Sequence, residues 1–481
     1  MDLGKGIAQE LDPRRWKALV LLCTANFLVI LDTQAVILAL PSISRDLGMS
    51  AVSAQWVLSA NLLTFGGLLL LGGRIADLLG RRRTFMLGTG LYVLISLMSG
   101  LAWNSEVLLA SRALHGVAAA LVAPTALSIL TTTFPEGSER NKALAAWSGI
   151  AGIGATVGLL IGGSLTESLG WEWVFYINVP VGLVMLVLSP VLLQESRDRQ
   201  QRRIYDVAGA ATSTVALVLL VYAVVEAPAV GWTSARTIGL FVGAAVLIAL
   251  FAIIESRSAA PLVPLRIFRS RTLVGGNLVT VAIGMAAFGM SVTISMYAQA
   301  VLGYSPLEFG LRQAVMPIMA FVGAYIAQAI VTRRGFRPVT VGSLVLLGVG
   351  SFLLSRVSAD GQYFQDVFFA LFVFGLGLGA GTVATSAAAL SRIADSDSGL
   401  ASGFNTAAFQ IGGAVGVAVV TTVIAANTLG PDPAAMTDGL RTSFGTTVIF
   451  AIIGLVLAFV LLPRSGRTPT VEPTPERQSI G

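Results

Sequence analysis

Residues 16–40 read WKALVLLCTANFLVILDTQAVILAL, and beyond Lys17 this run carries only one acidic or basic side chain, Asp32. A helix needs about 20 consecutive apolar residues to cross the hydrocarbon core of a bilayer, so the run predicts a transmembrane helix. It is too long for the apolar region of a secretion signal, and no small-residue cleavage site follows it. We therefore interpret it as the first membrane span.

The same pattern recurs along the whole chain. Of its 481 residues, 55% are hydrophobic and 12% are charged, whereas soluble domains carry about 25% charged residues. The apolar runs are too long for the strands of an outer-membrane barrel, which predicts an all-α integral membrane protein. Fourteen transmembrane helices are predicted, at 16–40, 52–73, 84–103, 107–134, 142–166, 173–193, 207–227, 236–255, 273–297, 307–331, 338–356, 366–390, 400–426 and 442–463.

Basic residues divide unevenly between the two sets of loops that these spans define. Of the 31 Lys and Arg residues, 25 fall in the terminal segments and the loops on their side, and four fall on the opposite side. The remaining two, Arg112 and Arg312, lie within spans. Because cytoplasmic loops carry the excess of Lys and Arg, both termini are predicted to be cytoplasmic. This distribution argues against a nucleic-acid partner despite the net charge of +6.

The two longest cytoplasmic linkers, 194–206 and 256–272, bracket spans seven and eight. Removing that pair leaves six spans on each side, and transporters are often built from such repeated halves. The tail is rich in Pro, Thr and Glu and is expected to be disordered. The predicted organisation is an amino-terminal six-helix bundle at 1–193, an inserted helix pair with its linkers at 194–272, a second six-helix bundle at 273–465 and a cytoplasmic tail at 466–481.

Three polar side chains lie at a common depth inside the predicted spans. At a rise of about 1.5 Å per residue, Asp32 and His115 are about 12 Å, and Arg112 about 8 Å, from the outer ends of their spans. Ionisable groups are costly in a bilayer and mark functional sites. A proton-exchanging carboxylate near a fixed positive charge suits proton-coupled transport. Alternatively, Asp32 and Arg112 form a structural ion pair, and His115 hydrogen-bonds across helices.

Glycines form a stripe along span five. Gly154, Gly158 and Gly162 are spaced four residues apart, and Gly163 lies beside them. Small residues at this spacing form one flat helix face that lets another helix approach closely. The stripe predicts either static tight packing or a rocking contact between the two bundles.

Several motifs occur at matching places along the chain. The loop after span two contains Gly73, Asp77, Gly80, Arg81 and Arg82 in a G-x-x-x-D-x-x-G-R-R pattern. Further motifs are Leu31-Asp32-Thr33 with Ala39-Leu40-Pro41, Arg112 to Gly116, Gly154 to Gly163, and Trp171-Glu172-Trp173 with Asn178-Val179-Pro180. Together they resemble the major facilitator superfamily, in particular its fourteen-span drug:proton antiporter branch, and the likeness covers nearly the whole chain.

The resemblance implies two six-helix bundles that alternate access by rocking. It implies that Asp32 is the proton-interaction site, that Arg112 takes part in proton transfer, and that Asp77 and Arg81 latch the cytoplasmic side. The chain departs from the pattern at His115, where Gln is usual, at Leu159, where Pro is usual, and at Glu172, where Arg is usual. Asn61 replaces a common aromatic residue and is a candidate for substrate binding.

The expected function is export of hydrophobic or cationic drugs and antibiotics, driven by the proton gradient, with no cofactor, metal or catalytic residue. The alternative on the same scaffold is transport of lipid or an endogenous metabolite. A membrane-embedded enzyme is disfavoured because one histidine and one cysteine do not provide the clustered groups that such chemistry needs. The partners expected are a small hydrophobic substrate and the lipid of a bacterial-type cell membrane, with the protein acting as a monomer.

Overall fold

The computed structural model describes residues 13–134, 138–195, 207–231, 233–258, 265–391, 393, 398–428 and 433–463. Over these residues the chain forms helices and connecting turns. The α-helices are α1 Arg15–Asp46, α2 Ala51–Leu79, α3 Arg81–Gly100, α4 Ser105–Thr133, α5 Ser138–Ser168, α6 Trp173–Tyr176, α7 Asn178–Leu192, α8 Val207–Val230, α9 Ala235–Arg257, α10 Arg271–Met296, α11 Pro306–Gln313, α12 Val315–Arg334, α13 Phe336–Leu354, α14 Phe369–Leu390, α15 Ser398–Asn427 and α16 Pro433–Leu461. Short 3₁₀ and π segments occupy Leu265–Arg269, Tyr297–Val301 and Tyr363–Phe368.

Helix covers most of each of the fourteen predicted stretches, and the all-helical fold class is confirmed. Counted over the described residues, ten helical segments are long and apolar enough to cross a membrane. The number of crossings and the side on which the termini lie therefore stay predictions. The tail predicted to be disordered, 466–481, and most of the linker 194–206 lie outside the described residues.

Two predicted spans are interrupted rather than continuous. The stretch 173–193 divides into α6 and α7 at Ile177, and the stretch 307–331 divides into α11 and α12 at Ala314. A proline follows each break, at Pro180 and Pro317, and a proline has no N–H to donate to the carbonyl four residues earlier. The missing bond contributes to each break but does not suffice for one, since Pro41 and Pro124 lie within the unbroken helices α1 and α4.

The helices of each half pack mainly among themselves. In the first half α2 and α3 pack on α4, and α1 packs on α5. In the second half α10 packs on α15, and α14 packs on α12 and α13. Of the intervening pair, α8 packs on α9 and also touches both α2 and α15, so it lies beside the seam between the halves.

Apolar cores shared by the two halves lie at one end of the molecule, where α1 ends and α2 begins. There Ala35, Leu40 and Ile43 of α1 belong to one buried cluster with Phe288, Val292 and Ala414 of the second half. At the other end, where α1 begins, the buried cluster around Leu22 contains first-half residues only, over the described part of the chain. The halves are therefore joined at one end and have separate cores at the other.

Hydrogen bonds across the seam occur at the same joined end. Ser295 Oγ donates to Ile37 O at 3.2 Å, and Gln299 Nε2 donates to Leu38 O at 3.1 Å. Thr421 Oγ1 of α15 donates to Gln55 Oε1 near the start of α2. Pro41 has no N–H for the Ile37 carbonyl four residues earlier, so Ser295 satisfies a carbonyl that α1 leaves unpaired. Together the two donors hold α1 against the second half.

Candidate functional site

Asp32 and Arg112 form an ion pair in the interior of the first half. Arg112 Nη1 donates to Asp32 Oδ2 at 2.9 Å, and both side chains are almost completely buried, at 0% and 1% exposed. The guanidinium also donates from Nε to Val57 O of α2 at 3.1 Å. Because only Arg carries several donors in a fixed fork, one side chain on α4 links α1 and α2.

His115 lies one helical turn beyond Arg112 on α4 and is also buried. Its Nδ1 lies 3.4 Å from Arg112 Nη1 and 3.3 Å from Asn61 Nδ2, and its Nε2 lies 3.2 Å from Ser96 Oγ. Arginine nitrogens can only donate, so Nδ1 must accept. We therefore assign the imidazole hydrogen to Nε2, from which it is donated to Ser96.

Asn61 joins this cluster rather than lining an open surface. It is 5% exposed, and Gly116 makes its position possible, since a Cβ there would overlap Asn61 O and Thr64 Oγ1. Thr64 Oγ1 donates to Ala113 O at 2.7 Å, which further ties α2 to α4. In this conformation Asn61 supports His115, and the substrate-binding role predicted for Asn61 stays a prediction.

The second oxygen of Asp32 is held by a residue that the sequence analysis did not single out for a role. Asn178 Nδ2 donates to Asp32 Oδ1 at a long 3.4 Å, and Asn178 is fully buried at the start of α7. Over the part of the chain that the structure describes, its own Oδ1 is buried with no hydrogen-bond partner. The Asn178-Val179-Pro180 motif was the signal available in the sequence, but it does not reveal which helix the amide faces.

The cluster balances one negative charge with one positive charge. Replacing one member of a buried pair leaves the other charge uncompensated, at a cost of about 3–5 kcal/mol. The Phe175 ring lies beneath the guanidinium, with Arg112 Cζ 5.6 Å from the ring centroid. The closed arrangement is neutral while Asp32 is ionised, and protonation of the carboxyl group would leave the buried charge of Arg112 uncompensated unless their contact also changed.

The motif of residues 73–83 forms the tight connection between α2 and α3. Gly80 has φ +107°, a value that favours glycine, and it separates the last turn of α2, which contains Asp77, from Arg81 at the start of α3. Gly73 lies within α2. The Asp77 side chain lies outside the described part of the structure, so the latch assigned to Asp77 and Arg81 stays a prediction.

Glu195, for which the sequence analysis predicted no role, contacts the connection between α2 and α3. Glu195 Oε1 accepts from the Arg82 backbone N–H at 3.2 Å, and its Oε2 lies 3.6 Å from Arg83 Nε. The first N–H groups of a helix have no partner within the helix and favour a negative charge. Glu195 therefore caps α3 and neutralises part of its basic first turn.

The four glycines of the α5 stripe divide between two neighbours. Added Cβ atoms at Gly154, Gly158 and Gly162 would meet Phe27, Leu31 and Ala35 of α1, all in the same half. An added Cβ at Gly163 would instead meet Pro306 and Leu307 of α11 in the other half. In this conformation three of the glycines permit close packing inside one half, and Gly163 is the one that contacts the opposite half.

The chain matches a family profile and known resistance and export proteins over most of its length. The Major Facilitator Superfamily profile matches residues 22–257 and 276–479. The puromycin resistance protein of Streptomyces alboniger is 38% identical over 459 residues, which is 94% of this chain and 91% of that protein. The cephamycin export protein of Amycolatopsis lactamdurans is 34% identical over 457 residues, which is 94% of this chain and 93% of that protein.

Solved structures agree in fold. A bacterial homolog of the human lysosomal transporter Spinster superposes with a TM-score of 0.66, covering 94% of this chain and 97% of that chain at 16% identity. At that identity the match supports the arrangement of helices and nothing about the cargo.

Proposed function

The chain belongs to the major facilitator superfamily of membrane transporters, and from that premise we propose that it exports hydrophobic or cationic antibiotics in exchange for protons. It is a multi-pass cell-membrane transporter and not an enzyme. Relatives that cover more than nine-tenths of its length are named for puromycin resistance and cephamycin export, which supports a drug-like cargo.

The observation that carries the proton coupling is the buried Asp32–Arg112 pair. The Asp32 carboxylate is 1% exposed inside a helix bundle. Charges embedded in a membrane are costly, so a carboxylate at such a position indicates a functional site. Its proton can be gained or lost when the two halves change their packing, because water access and the distance to Arg112 both change. In this proposal Asp32 carries the proton, while Arg112 holds the carboxylate and takes part in the transfer.

The topology that goes with this function has fourteen crossings and cytoplasmic termini, in a monomer. The first bundle comprises 1–193 and the second 273–465, with the inserted pair between them. In that orientation the joined end described above faces the outside, and the end with separate cores faces the cytoplasm. Cargo would enter from the cytoplasm and leave after the outer contacts between the bundles are broken.

Export is tested in an efflux-deficient bacterial host that expresses the wild-type protein or Asp32→Asn. Wild type should raise the puromycin and ethidium concentrations that inhibit growth, and Asp32→Asn should not. An unchanged susceptibility to every drug in the wild-type strain would instead favour an endogenous cargo such as a lipid.

Coupling is tested with purified protein in proteoliposomes. A pH gradient should drive puromycin accumulation by wild type, and Asp32→Asn should abolish it. Asparagine resembles the protonated carboxyl, so downhill exchange of puromycin should persist in that variant and show that it is folded. Gradient-driven accumulation by Asp32→Asn would contradict the proton role of Asp32.

A further inference from the structure

We propose that Asn178 is a positioning residue that stabilises the Asp32 carboxyl in both of its protonation states by turning its side-chain amide. The proposal rests on the proton role assigned to Asp32 above and adds to it the group that responds to the proton. It arises from two observations, the long Asn178–Asp32 contact and the buried carbonyl oxygen of Asn178 that lacks a partner.

The two oxygens of Asp32 are not equivalent. Oδ2 accepts from Arg112 at 2.9 Å and lies 3.6 Å from His115 Nδ1. Over the described residues, Oδ1 accepts only from Asn178 Nδ2, at 3.4 Å. A proton that reaches the carboxylate therefore goes to Oδ1, because Oδ2 is already engaged by a charged donor.

When Asp32 Oδ1 carries a proton, Asn178 must accept a hydrogen bond from it instead of donating one. While Asp32 is charged, its oxygens can only accept, so the amide must present Nδ2. Once Oδ1 carries hydrogen, that O–H and the amide N–H would be two donors facing each other. A half turn about the Cβ–Cγ bond of Asn178 replaces Nδ2 with Oδ1, which then accepts from the carboxyl group.

The unpartnered oxygen of Asn178 is explained by this second state. Buried polar atoms nearly always have a partner, and those without one need an explanation. Asn178 is 0% exposed, and the amide of an asparagine that only anchored the charged carboxylate would leave its oxygen permanently unsatisfied. After the half turn this oxygen accepts from the protonated carboxyl and Nδ2 takes its former place, so in each state the amide directs the matching group at Asp32 Oδ1.

The charged and titratable groups around Asp32 cannot substitute for this acceptor. Arg112 can only donate, and the accepting nitrogen of His115 already faces Arg112. Tyr92 of α3 donates its hydroxyl to Leu28 O at 3.1 Å, and no hydrogen bond between Tyr92 and Asp32 occurs over the described residues. Asn178 is the amide in direct contact with Asp32 Oδ1.

The test compares Asn178→Thr with Asn178→Val, which have nearly the same volume and differ by one hydroxyl. A hydroxyl can donate to a carboxylate and accept from a carboxylic acid, so threonine can serve both states and valine neither. Infrared difference spectra of the purified full-length protein between acidic and basic pH report the carboxyl C=O stretch. The Asp32 band is the one that Asp32→Asn removes.

In Asn178→Val we expect this band to move to higher wavenumber, because the protonated carboxyl loses its acceptor, and Asn178→Thr should move it back. Gradient-driven puromycin uptake should fall about tenfold in Asn178→Val, the factor equivalent to roughly 1.4 kcal/mol, and recover in Asn178→Thr. Asn405→Val, which removes a buried asparagine of α15 bonded to Thr280 at 2.8 Å, is the matched control and should leave the band in place.

An Asp32 band at the same position in Asn178→Val and wild type would overturn the role of Asn178 and leave the proposed function intact. No band dependent on Asp32 in any protein would overturn both, since the carboxyl would not be titrating. If Asn178→Val does not accumulate in the membrane, Asn178→Ala and Asn178→Ser make the same comparison with smaller side chains.

Discussion

Arg112 connects three helices through one side chain, and this determines what a substitution should do. Its Nη1 holds Asp32 of α1, and its Nε holds Val57 O of α2. A lysine ammonium is a single point of donation on a flexible stem and cannot make both contacts in this geometry. A lysine at position 112 would therefore keep the positive charge but lose the hydrogen bond to Val57 O of α2.

We therefore expect Arg112→Lys to retain expression and the charge balance of the cluster but to lower the free energy of unfolding by about 1.5–3 kcal/mol, the value of one hydrogen bond to a charged group. The measurement is thermal unfolding in detergent. Lys142→Arg, a charge-preserving change at an exposed position, is the control and should leave the melting temperature unchanged. An Arg112→Lys protein as stable as wild type would mean that the Val57 contact contributes little.

His115 is expected to act as a neutral hydrogen-bonding residue rather than as a second proton carrier. Its Nδ1 accepts from Arg112 and its Nε2 donates to Ser96, a pattern that a glutamine amide can also provide. His115→Gln should therefore keep proton-driven transport within about twofold of wild type. His115→Leu leaves buried donors unpaired and should cost about 1–3 kcal/mol of stability. Loss of gradient-driven transport in a stable His115→Gln protein would show that the imidazole itself is needed.

At the scale of single helices, the α5 glycines give a matched pair of substitutions. An added Cβ at Gly162 would lie 2.5 Å from Ala35 Cα, whereas at Gly149 on the same helix no described residue would lie within 4 Å of it. Gly162→Ala should destabilise the protein by about 1–3 kcal/mol, because the backbone of α1 must move away. Gly149→Ala should be neutral or slightly stabilising. Equal melting temperatures for the two variants would contradict the close approach of α5 and α1.

The apolar stretches of the sequence predicted the positions of the helices. A membrane span must form all its backbone hydrogen bonds within itself, so it is a helix whose sequence is one long hydrophobic stretch. The breaks before Pro180 and Pro317 were not predicted, since the hydrophobicity continues unchanged through both prolines. A single sequence shows local patterns and how far a residue lies from the end of its span. Those distances alone predicted that Asp32 and Arg112 lie at a similar depth in the membrane. The contacts of Asn178 with Asp32 and of Glu195 with Arg82 join residues more than 100 positions apart, and neither is visible in any local pattern.

The sequence also did not show which helices the glycines of the α5 stripe contact. Spacing by four predicts a flat face but does not reveal which helix covers it. Gly158 and Gly162 turned out to face α1, while their neighbour Gly163 faces α11. A rotation of about 100° between successive residues separates these two surfaces, so adjacent glycines serve different contacts.

For the whole molecule, the joined end predicts where a cross-link would stop transport. Gln55 and Thr421 contact each other across the seam. In a Cys23→Ala background, Gln55→Cys with Thr421→Cys should form a cross-link with a short bifunctional methanethiosulfonate reagent, which joins the two thiols through disulfides, and this should block puromycin export because the outer contacts can no longer open. Reduction or omission of the reagent should restore export. Either single-cysteine variant is the control, and full export by the cross-linked protein would contradict opening at this seam.

Gly163 offers a way to shift the balance between the two conformations without a cross-link. A Cβ at this position would lie 2.8 Å from Leu307 Cα, across the seam, so Gly163→Ala opposes the joined state and leaves the packing of α5 on α1 untouched. Overpacking costs about 1–3 kcal/mol, and here only the closed arrangement of the outer end incurs that cost. Gly163→Ala should therefore lower the equilibrium constant for the joined state by about tenfold, the factor that 1.4 kcal/mol gives, and the yield of the Gln55–Thr421 cross-link should fall with the population of that state. Gly162→Ala clashes within one half, so it should lower the melting temperature while leaving the cross-link yield of the folded protein unchanged. If both variants reduced the yield equally, the division of the stripe between packing and gating would be wrong.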